Sequence, residues 1–185
     1  MDELALHILD IVQNSLAAGA TLVIIRINED EDGYVVFSIE DNGHGMSQEM
    51  VEKVQDPFVT TRTTRKVGMG IPLLAMTAEQ SGGGIELTSQ LGKGTVITAR
   101  FLKDHIDRPP MGDIINTLKV LLVTNPGLHL ILNYSVKKAR FVFDTAEVEE
   151  QLGCEVDYSI PDIYGWLSDF LQQEISTVRK AGRDK

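Results

Sequence analysis

The sequence predicts an α+β fold: a two-layer α/β sandwich whose mostly antiparallel sheet is covered on one face by helices, followed by a small C-terminal α+β appendage. Two observations predict this class. Runs of β-branched and aromatic residues recur in pairs separated by short turns, and helical apolar spacing recurs between those pairs. Up to residue 103 the order is helix, two strands, short helix, loop, helix, two strands. Strands joined by tight turns pair antiparallel, which leaves the helices to cover one face.

Composition is that of an ordinary globular protein, with 185 residues, 43% hydrophobic and 24% charged. No apolar run approaches membrane-spanning length and the first residues lack a basic region followed by an apolar one, so we expect neither a membrane helix nor a signal peptide. The single cysteine, Cys154, fits a reducing compartment, and we expect a cytoplasmic protein. A net charge of -10 argues against binding to nucleic acid.

The opening helix is predicted over Leu6–Ala20, with Asp2 as N-cap and Gly19 as left-handed C-cap. Asp10 and Asn14, four residues apart, share one face of this helix. An unpaired carboxylate is costly to bury, so Asp10 should have a partner. A carboxylate and an amide one turn apart suit a magnesium ion or a bound water. The alternative is a hydrogen-bonded polar pair at the helix surface.

Two strands follow, over Thr21–Asn28 and Tyr34–Glu40, and the acidic turn between them closes on a glycine. They should pair as a hairpin. The segment Asp41–Met46, DNGHGM, then ends the second strand with two glycines. Ser47 can cap a short helix that stops before Pro57.

The segment Phe58–Gly70 combines threonines, basic residues and glycines without lasting periodicity. We interpret it as a long loop, and long loops inside compact domains are usually functional. A helix with proline in its first turn is predicted over Ile71–Ser81. A second hairpin follows, with strands over Ile85–Gln90 and Thr95–Leu102.

A composition break containing two consecutive prolines marks a predicted linker at residues 104–112. Residues 1–103 precede it as one domain, and residues 113–185 follow it as an appendage of unknown role. The appendage is predicted to contain an amphipathic helix, a hairpin and two further helices. The last helix, from about Ile160 to Val178, carries an apolar stripe around Trp166 that indicates core or partner surface.

Two glycine-containing segments indicate chemistry as well as turns. Asp41 ends a strand beside Gly43 and Gly45, so its carboxylate can accept from an exocyclic amine while bare backbone approaches a ring, which suits adenine. Its alternative is an ordinary turn. Gly68 and Gly70 precede a helix and offer amide groups and a helix dipole to phosphates. The alternative there is a flexible hinge.

Four segments occur in one order: DIVQNSLAAGA, IEDNGHGM, GMGIPLL and GKGT. Together they closely resemble the N box, the two glycine boxes and the closing box of the GHKL ATPases. This Bergerat-fold group includes gyrase, heat-shock chaperones, histidine kinases and the mismatch-repair protein MutL. The first segment is nearest in wording to MutL, and the region from DPFVTTR onward is more like sensor kinases. The resemblance covers residues 1–103 and implies a stand-alone ATP-binding domain.

The resemblance implies ATP as the ligand, with Mg²⁺ carried by the triphosphate. Asn14 matches the asparagine that coordinates the magnesium, and Asp41 matches the aspartate that receives the adenine amine. Gly43 and Gly45 match the glycines that line the base, and Thr95 matches a threonine that holds adenine through its hydroxyl and a water. Further nucleotide contacts are implied at Met46, Thr60, Thr61, Arg62, Lys66, Gly68, Met69, Gly70 and Ile71.

Three positions distinguish this sequence within the family. Arg62 stands where many kinase-type relatives have lysine, and Pro72 stands where a third glycine is usual. Asp10 is a carboxylate where histidine kinases commonly have an amide, and hydrolases and anti-sigma serine kinases typically have glutamate. A carboxylate can take a proton from water or a hydroxyl, so Asp10 is the predicted general base. Because aspartate is one methylene shorter than glutamate, we expect slow turnover.

Three functions stay open at this point. The first is magnesium-dependent ATP hydrolysis that drives a conformational or interaction switch. The second is a protein serine/threonine kinase acting in trans, similar to anti-sigma factors, and the third is an ATP-dependent interaction module without hydrolysis. Each implies a protein partner of unknown identity. Family analogy also suggests a homodimer, and no membrane or nucleic-acid partner is expected.

Overall fold

The computed structural model describes residues 3–55 and 70–183. Within these residues the chain forms a six-stranded sheet in the order β3-β4-β2-β1-β5-β6. The strands are β1 (Leu22–Glu31), β2 (Tyr34–Asp41), β3 (Gly84–Gln90), β4 (Gly94–Leu102), β5 (His129–Val136) and β6 (Ala139–Asp144). All neighbouring strands are antiparallel except β1 and β5, which are parallel. The predicted mostly antiparallel sheet is confirmed.

Six helices accompany the sheet in the described part of the chain. They are α1 (Leu4–Ala17), α2 (Gln48–Gln55), α3 (Gly70–Gln80), α4 (Ile114–Thr124), α5 (Thr145–Leu152) and α6 (Pro161–Arg183). The opening helix therefore begins two residues earlier than predicted. Glu3 precedes it without a side-chain capping bond. Asp2, the predicted cap, lies outside the described residues.

The core lies between the sheet and the helices. Alternate strand residues point to one face, so that Ile25 is flanked by Ile39 on β2 and Leu132 on β5, and all three are at most 1% exposed. Helix α1 packs on β2, α3 on β3 and β4, and α6 on β5 and β6, while α4 lies between α1 and α6. This arrangement is the predicted two-layer sandwich.

The C-terminal segment, which the sequence predicts as an appendage, contributes two strands to the same sheet. Strand β5 pairs along its length with β1, and Ile131 is opposite Ile24. The segment thus extends the sheet of residues 1–103 and does not form a sheet of its own. Arg179 on α6 strengthens this join by bonding Glu29 on β1 at 2.6 Å and the Tyr134 hydroxyl at 2.8 Å. That residues 1–103 form a nucleotide-binding domain distinct from residues 113–185 stays a prediction.

No helix among the described residues combines the length and apolar character needed to cross a bilayer.

Candidate functional site

Asp41 is held at the end of β2 by two hydrogen bonds. The Ser15 hydroxyl donates to its Oδ2 atom at 2.6 Å, and the Gly43 N–H donates to its Oδ1 atom at 2.9 Å. The residue is 9% exposed. A carboxylate offers about four acceptor positions, so two bonds leave capacity for a further donor. Asp41 is therefore a fixed, nearly buried acceptor.

The turn after Asp41 packs so closely that side chains are excluded. A Cβ atom on Gly45, whose φ is +66°, would lie 2.1 Å from the Gln90 carbonyl oxygen. A Cβ atom on Gly43 would lie 3.0 Å from the Ala18 carbonyl oxygen and 3.1 Å from Oδ1 of Asp41. Bare backbone therefore lines this side of Asp41, and the predicted role of both glycines beside adenine stays a prediction.

Thr95 lies directly across the sheet from Asp41, because the two residues are partners in the β2–β4 pairing. The Ser89 hydroxyl oxygen is 2.9 Å from the Thr95 hydroxyl oxygen, and it accepts from the Met46 N–H at 2.8 Å. Ser89 also donates to the Gly94 carbonyl at 2.9 Å. These bonds fix the Thr95 hydroxyl and the Met46 backbone beside Asp41.

Asp10 and Asn14, which form the polar stripe of α1, face the beginning of α3. A Cβ atom built on Gly70, the first residue of α3, would lie 3.5 Å from Oδ2 of Asp10 and 3.6 Å from Nδ2 of Asn14. Gly70 is buried, whereas Asp10 and Asn14 are half-buried. The first N–H groups of a helix have no partners within the helix and carry its positive dipole end. The stripe and this helix start therefore form a second polar centre.

One turn of α1 connects the two centres. Ser15 contacts Asp41, and the preceding residue, Asn14, faces Gly70. The structure thus brings together the predicted residues of the N box, the first glycine box, the start of α3 and the closing turn. Ile71 is also a predicted nucleotide contact, but its side chain is 8% exposed and belongs to the apolar core.

Six predicted contact residues lie outside the described residues. They are Thr60, Thr61, Arg62, Lys66, Gly68 and Met69. Their roles stay predictions from the sequence resemblance.

Sequence reasoning missed three residues that organise the site. Ser15 lies four residues after Ile11 on the buried face of α1. A serine at an apolar position of the helix was the sequence signal that could have identified it. Asn42 accepts from the Thr21 and Leu22 N–H groups at 2.9 and 3.0 Å, which ties the start of β1 to the end of β2. The contacts of Ser89 depend on strand pairing, so no local pattern indicated them.

His7 lies on the same helix as Asp10 and is 1% exposed. Neither ring nitrogen has a hydrogen-bond partner among the described residues. Burial lowers the pKa of His7 below its ordinary value of 6.5, although the Asp10 carboxylate acts in the opposite direction. The ring is therefore a neutral, buried neighbour of the site.

Comparison with known proteins gives one family and a consistent set of relatives. A family model described as "Histidine kinase-, DNA gyrase B-, and HSP90-like ATPase" matches residues 2–105. The sensor kinase CckA of Brucella abortus is 30% identical over 174 residues, which cover 82% of this chain and 18% of CckA. The sensor histidine kinase ZraS of Escherichia coli is 30% identical over 112 residues, which cover 60% of this chain and 24% of ZraS. The chain thus spans about a fifth of the length of these relatives.

A solved structure supports the fold. The N-terminal domain of a DNA repair protein superimposes with a TM-score of 0.55 at 14% sequence identity, covering 77% of this chain and 52% of that one. At this identity the match concerns architecture alone. Because the family model covers more than half of the chain, this protein belongs to the histidine kinase-, DNA gyrase B- and HSP90-like ATPase family.

Proposed function

We propose that this protein binds ATP with Mg²⁺ and hydrolyses it slowly, and that the change in nucleotide state switches a conformation or an interaction. The observation that carries this proposal is the position of α1. Within two adjacent residues the helix contacts both the buried carboxylate of Asp41 and the start of α3. A nucleotide lying along this turn would have its base at Asp41 and its phosphates at Gly70.

The adenine end is supported by hydrogen-bond chemistry. Asp41 already accepts two bonds and has acceptor capacity left for the exocyclic amine of adenine. Gly43 and Gly45 line the adjacent turn with bare backbone, and the Thr95 hydroxyl stands on the neighbouring strand. A site that hydrogen-bonds a base edge rejects bases without the matching donor, because its own buried acceptor would then be unpaired.

The phosphate end is supported by charge and helix geometry. The start of α3 presents backbone N–H groups, which suit phosphate oxygens. The Asn14 side chain, close to Gly70, would hold the magnesium ion that accompanies the triphosphate. This ion neutralises phosphate charge when bound. We further propose that Arg62 and Lys66, together with the other predicted contact residues outside the described ranges, bind the phosphates.

Asp10 is the proposed general base. Its carboxylate faces the same helix start as Asn14, so a water between Asp10 and the terminal phosphate would be in reach of Oδ2. Asp10 takes one proton from this water, and the water oxygen bonds to the γ-phosphorus. The bond between that phosphorus and the bridging oxygen breaks, and ADP leaves with the electron pair.

A protein kinase acting in trans is the second candidate. The relatives CckA and ZraS are named sensor kinases, which favours phosphoryl transfer to protein. In that case a side-chain hydroxyl of a partner replaces water, and Asp10 takes its proton instead. A third candidate, an ATP-dependent interaction module without hydrolysis, would use the same nucleotide contacts.

One experiment separates these functions. Purified protein is incubated with γ-labelled ATP and Mg²⁺, with and without added cellular protein. Free labelled phosphate supports hydrolysis, label appearing only on an added protein supports the kinase, and binding without either supports the module.

The adenine assignment has its own test. Asp41→Asn should abolish ATP binding in calorimetry, because the amide can present a donor to the adenine amine. Glu40→Gln is the matched control, since Glu40 is adjacent but pairs with Arg26 at 2.8 Å outside the site. Unchanged ATP affinity of Asp41→Asn would contradict the assignment.

A further inference from the structure

A groove lies between α5 and α6 at the β6 end of the sheet. Its volume is about 530 Å³. Strand β6 supplies Phe143, α5 supplies Val148 and Leu152, and α6 supplies Ile163, Trp166 and Phe170. The groove is far from Asp41 in the sheet order, because β1 and β5 separate β2 from β6. The proposed nucleotide site does not use it.

Apolar side chains of this groove remain open to solvent. Leu152 is 61% exposed, Val142 49% and Trp166 45%. The Trp166 ring stacks on Phe170 with centroids 5.4 Å apart and an angle of 11° between the planes. Stacking holds the indole in place before any partner arrives. Preformed apolar surface of this kind marks interaction sites.

The groove is surrounded by negative charge. Asp144, Glu147 and Asp162 lie on its walls. Residues 141–178 contain nine acidic residues and neither lysine nor arginine, in a chain whose net charge is -10. Burial is the largest cause that raises the pKa of the Tyr158 hydroxyl to about 12, and the negative charges of Glu149 and Asp144 raise it further.

One wall carboxylate, Asp144, is already bonded, because the His129 ring on β5 lies 2.9 Å from its Oδ1 atom. Two other basic residues near α6 are directed elsewhere. Lys119 on α4 reaches α6 at Ser168, 3.2 Å away, and lies over the Tyr164 ring. Ser168 and Tyr164 project from the side of α6 opposite to Asp162 and Trp166, because successive residues of a helix are rotated by about 100°. Arg179 is bonded to Glu29. The carboxylates of Glu147 and Asp162, which form no ion pair among the described residues, therefore remain available to a ligand.

We propose that this groove binds a basic amphipathic helix of a partner protein. The walls are two helices with an apolar floor between them, and a third helix lays its apolar face into such a groove. Lysine or arginine side chains flanking that face would meet Glu147 and Asp162. Leu152 and Val142 belong to the groove lining and are exposed, so the apolar face of a helix laid on them would remove them from water.

Trp166 is the single tryptophan of the chain, so its fluorescence reports on the groove. The probe is a peptide of about 18 residues, five helical turns, with leucines at helical spacing and lysines elsewhere. Titration without nucleotide should shift Trp166 emission to the blue with saturation, and the affinity should fall as salt rises. The same peptide with glutamate in place of lysine should bind at least about tenfold more weakly.

Two variants test the location. Glu147→Lys combined with Asp162→Lys should weaken lysine-peptide binding about tenfold or more, because two attractive rim charges become repulsive. Glu31→Lys combined with Glu86→Lys is the charge-matched control, since both residues are exposed and outside the groove. Leu152→Ser, at a side chain 61% exposed, should also weaken binding without disturbing the core.

Several results would overturn the proposal. These are equal binding of the lysine and glutamate peptides, no change in Trp166 emission, or equal weakening in the groove and control variants. Sedimentation that shows a dimer dissociated by Leu152→Ser would assign the groove to a second copy instead. Because the titration contains no nucleotide, its outcome is independent of ATP binding and hydrolysis.

Discussion

The hydroxyl of Ser15 donates a 2.6 Å hydrogen bond to Oδ2 of Asp41, across 26 residues of sequence. This bond joins the helix that carries Asp10 and Asn14 to the strand end that carries the proposed adenine acceptor. Both residues are buried, so no water competes freely for the contact. The orientation of the carboxylate therefore depends on a residue outside the predicted nucleotide contacts.

Ser15→Ala should weaken ATP binding about tenfold, because Asp41 loses one of the two donors that orient it, and leaving a buried acceptor unpaired costs about 1–3 kcal/mol. Calorimetric titration with ATP checks this. Ser81→Ala is the control, since Ser81 is also buried but its hydroxyl donates to the Thr77 carbonyl. A similar loss of affinity in both variants would show a general loss of stability.

Asp10→Asn should retain ATP binding and lower the rate of phosphate release by about a hundredfold or more, because an amide cannot take the proton of the attacking water. Asp10→Glu tests the reach of the base. The added methylene moves the carboxylate by about 1 Å, and we expect faster release if distance limits the rate. An undiminished rate in Asp10→Asn would remove Asp10 as the base.

Gly45→Ala should destabilise the protein by about 2 kcal/mol or more beyond Gly92→Ala. Both glycines have positive φ, +66° and +75°, so alanine is strained at each. Only Gly45 would place its Cβ against backbone, whereas nothing lies within 4 Å of a Cβ at Gly92. Chemical denaturation of the two variants measures the difference. Equal costs would mean that the turn relaxes away from Gln90.

His7→Leu should reduce the fall of the free energy of unfolding with decreasing pH below about 6.5. Burial lowers the pKa of His7 in the folded protein below 6.5, so below about pH 6.5 the unfolded chain binds a proton that the folded protein does not. The free energy of unfolding therefore falls with decreasing pH, by at most about 1.4 kcal/mol per pH unit, until the folded pKa is reached.

Denaturation at several pH values compares His7→Leu with the wild type. Leucine removes the titrating ring and two nitrogens that lack hydrogen-bond partners in the described part of the chain, so the variant should gain relative stability as the pH falls. Ile11→Val, at a buried neighbour in the same helix, is the control, and its cost of about 1 kcal/mol should not change with pH. A pH-independent difference for His7→Leu would contradict the buried neutral ring.

Local patterns predicted much of the fold. Alternation and β-branched content located the strands to within a few residues, as at Tyr34–Asp41, because these signals arise from the burial of one sheet face. The polar stripe of α1 was visible for the same reason, since Asp10 and Asn14 interrupt an otherwise apolar pattern. The ordered glycine segments indicated the family on the same local basis.

Partners distant in sequence were not predictable from such patterns. The parallel pairing of β1 with β5 joins residues about a hundred positions apart, and alternation alone does not specify which strand lies beside which. For this reason residues 113–185 were expected as an appendage although their strands continue the sheet. The bond from Arg179 to Glu29, across 150 residues, belongs to the same class of contact.

The sequence by itself determined the elements and the chemical groups of this protein, because side-chain periodicity and turn chemistry are local properties of the chain. Only the tertiary structure decided which groups meet. Ser15 reaches Asp41 and Gly70 reaches Asp10 because α1 packs across the sheet against α3. The acidic groove beside Trp166 likewise exists only because α5 and α6 converge at the edge strand, bringing apolar residues from separate elements to one surface.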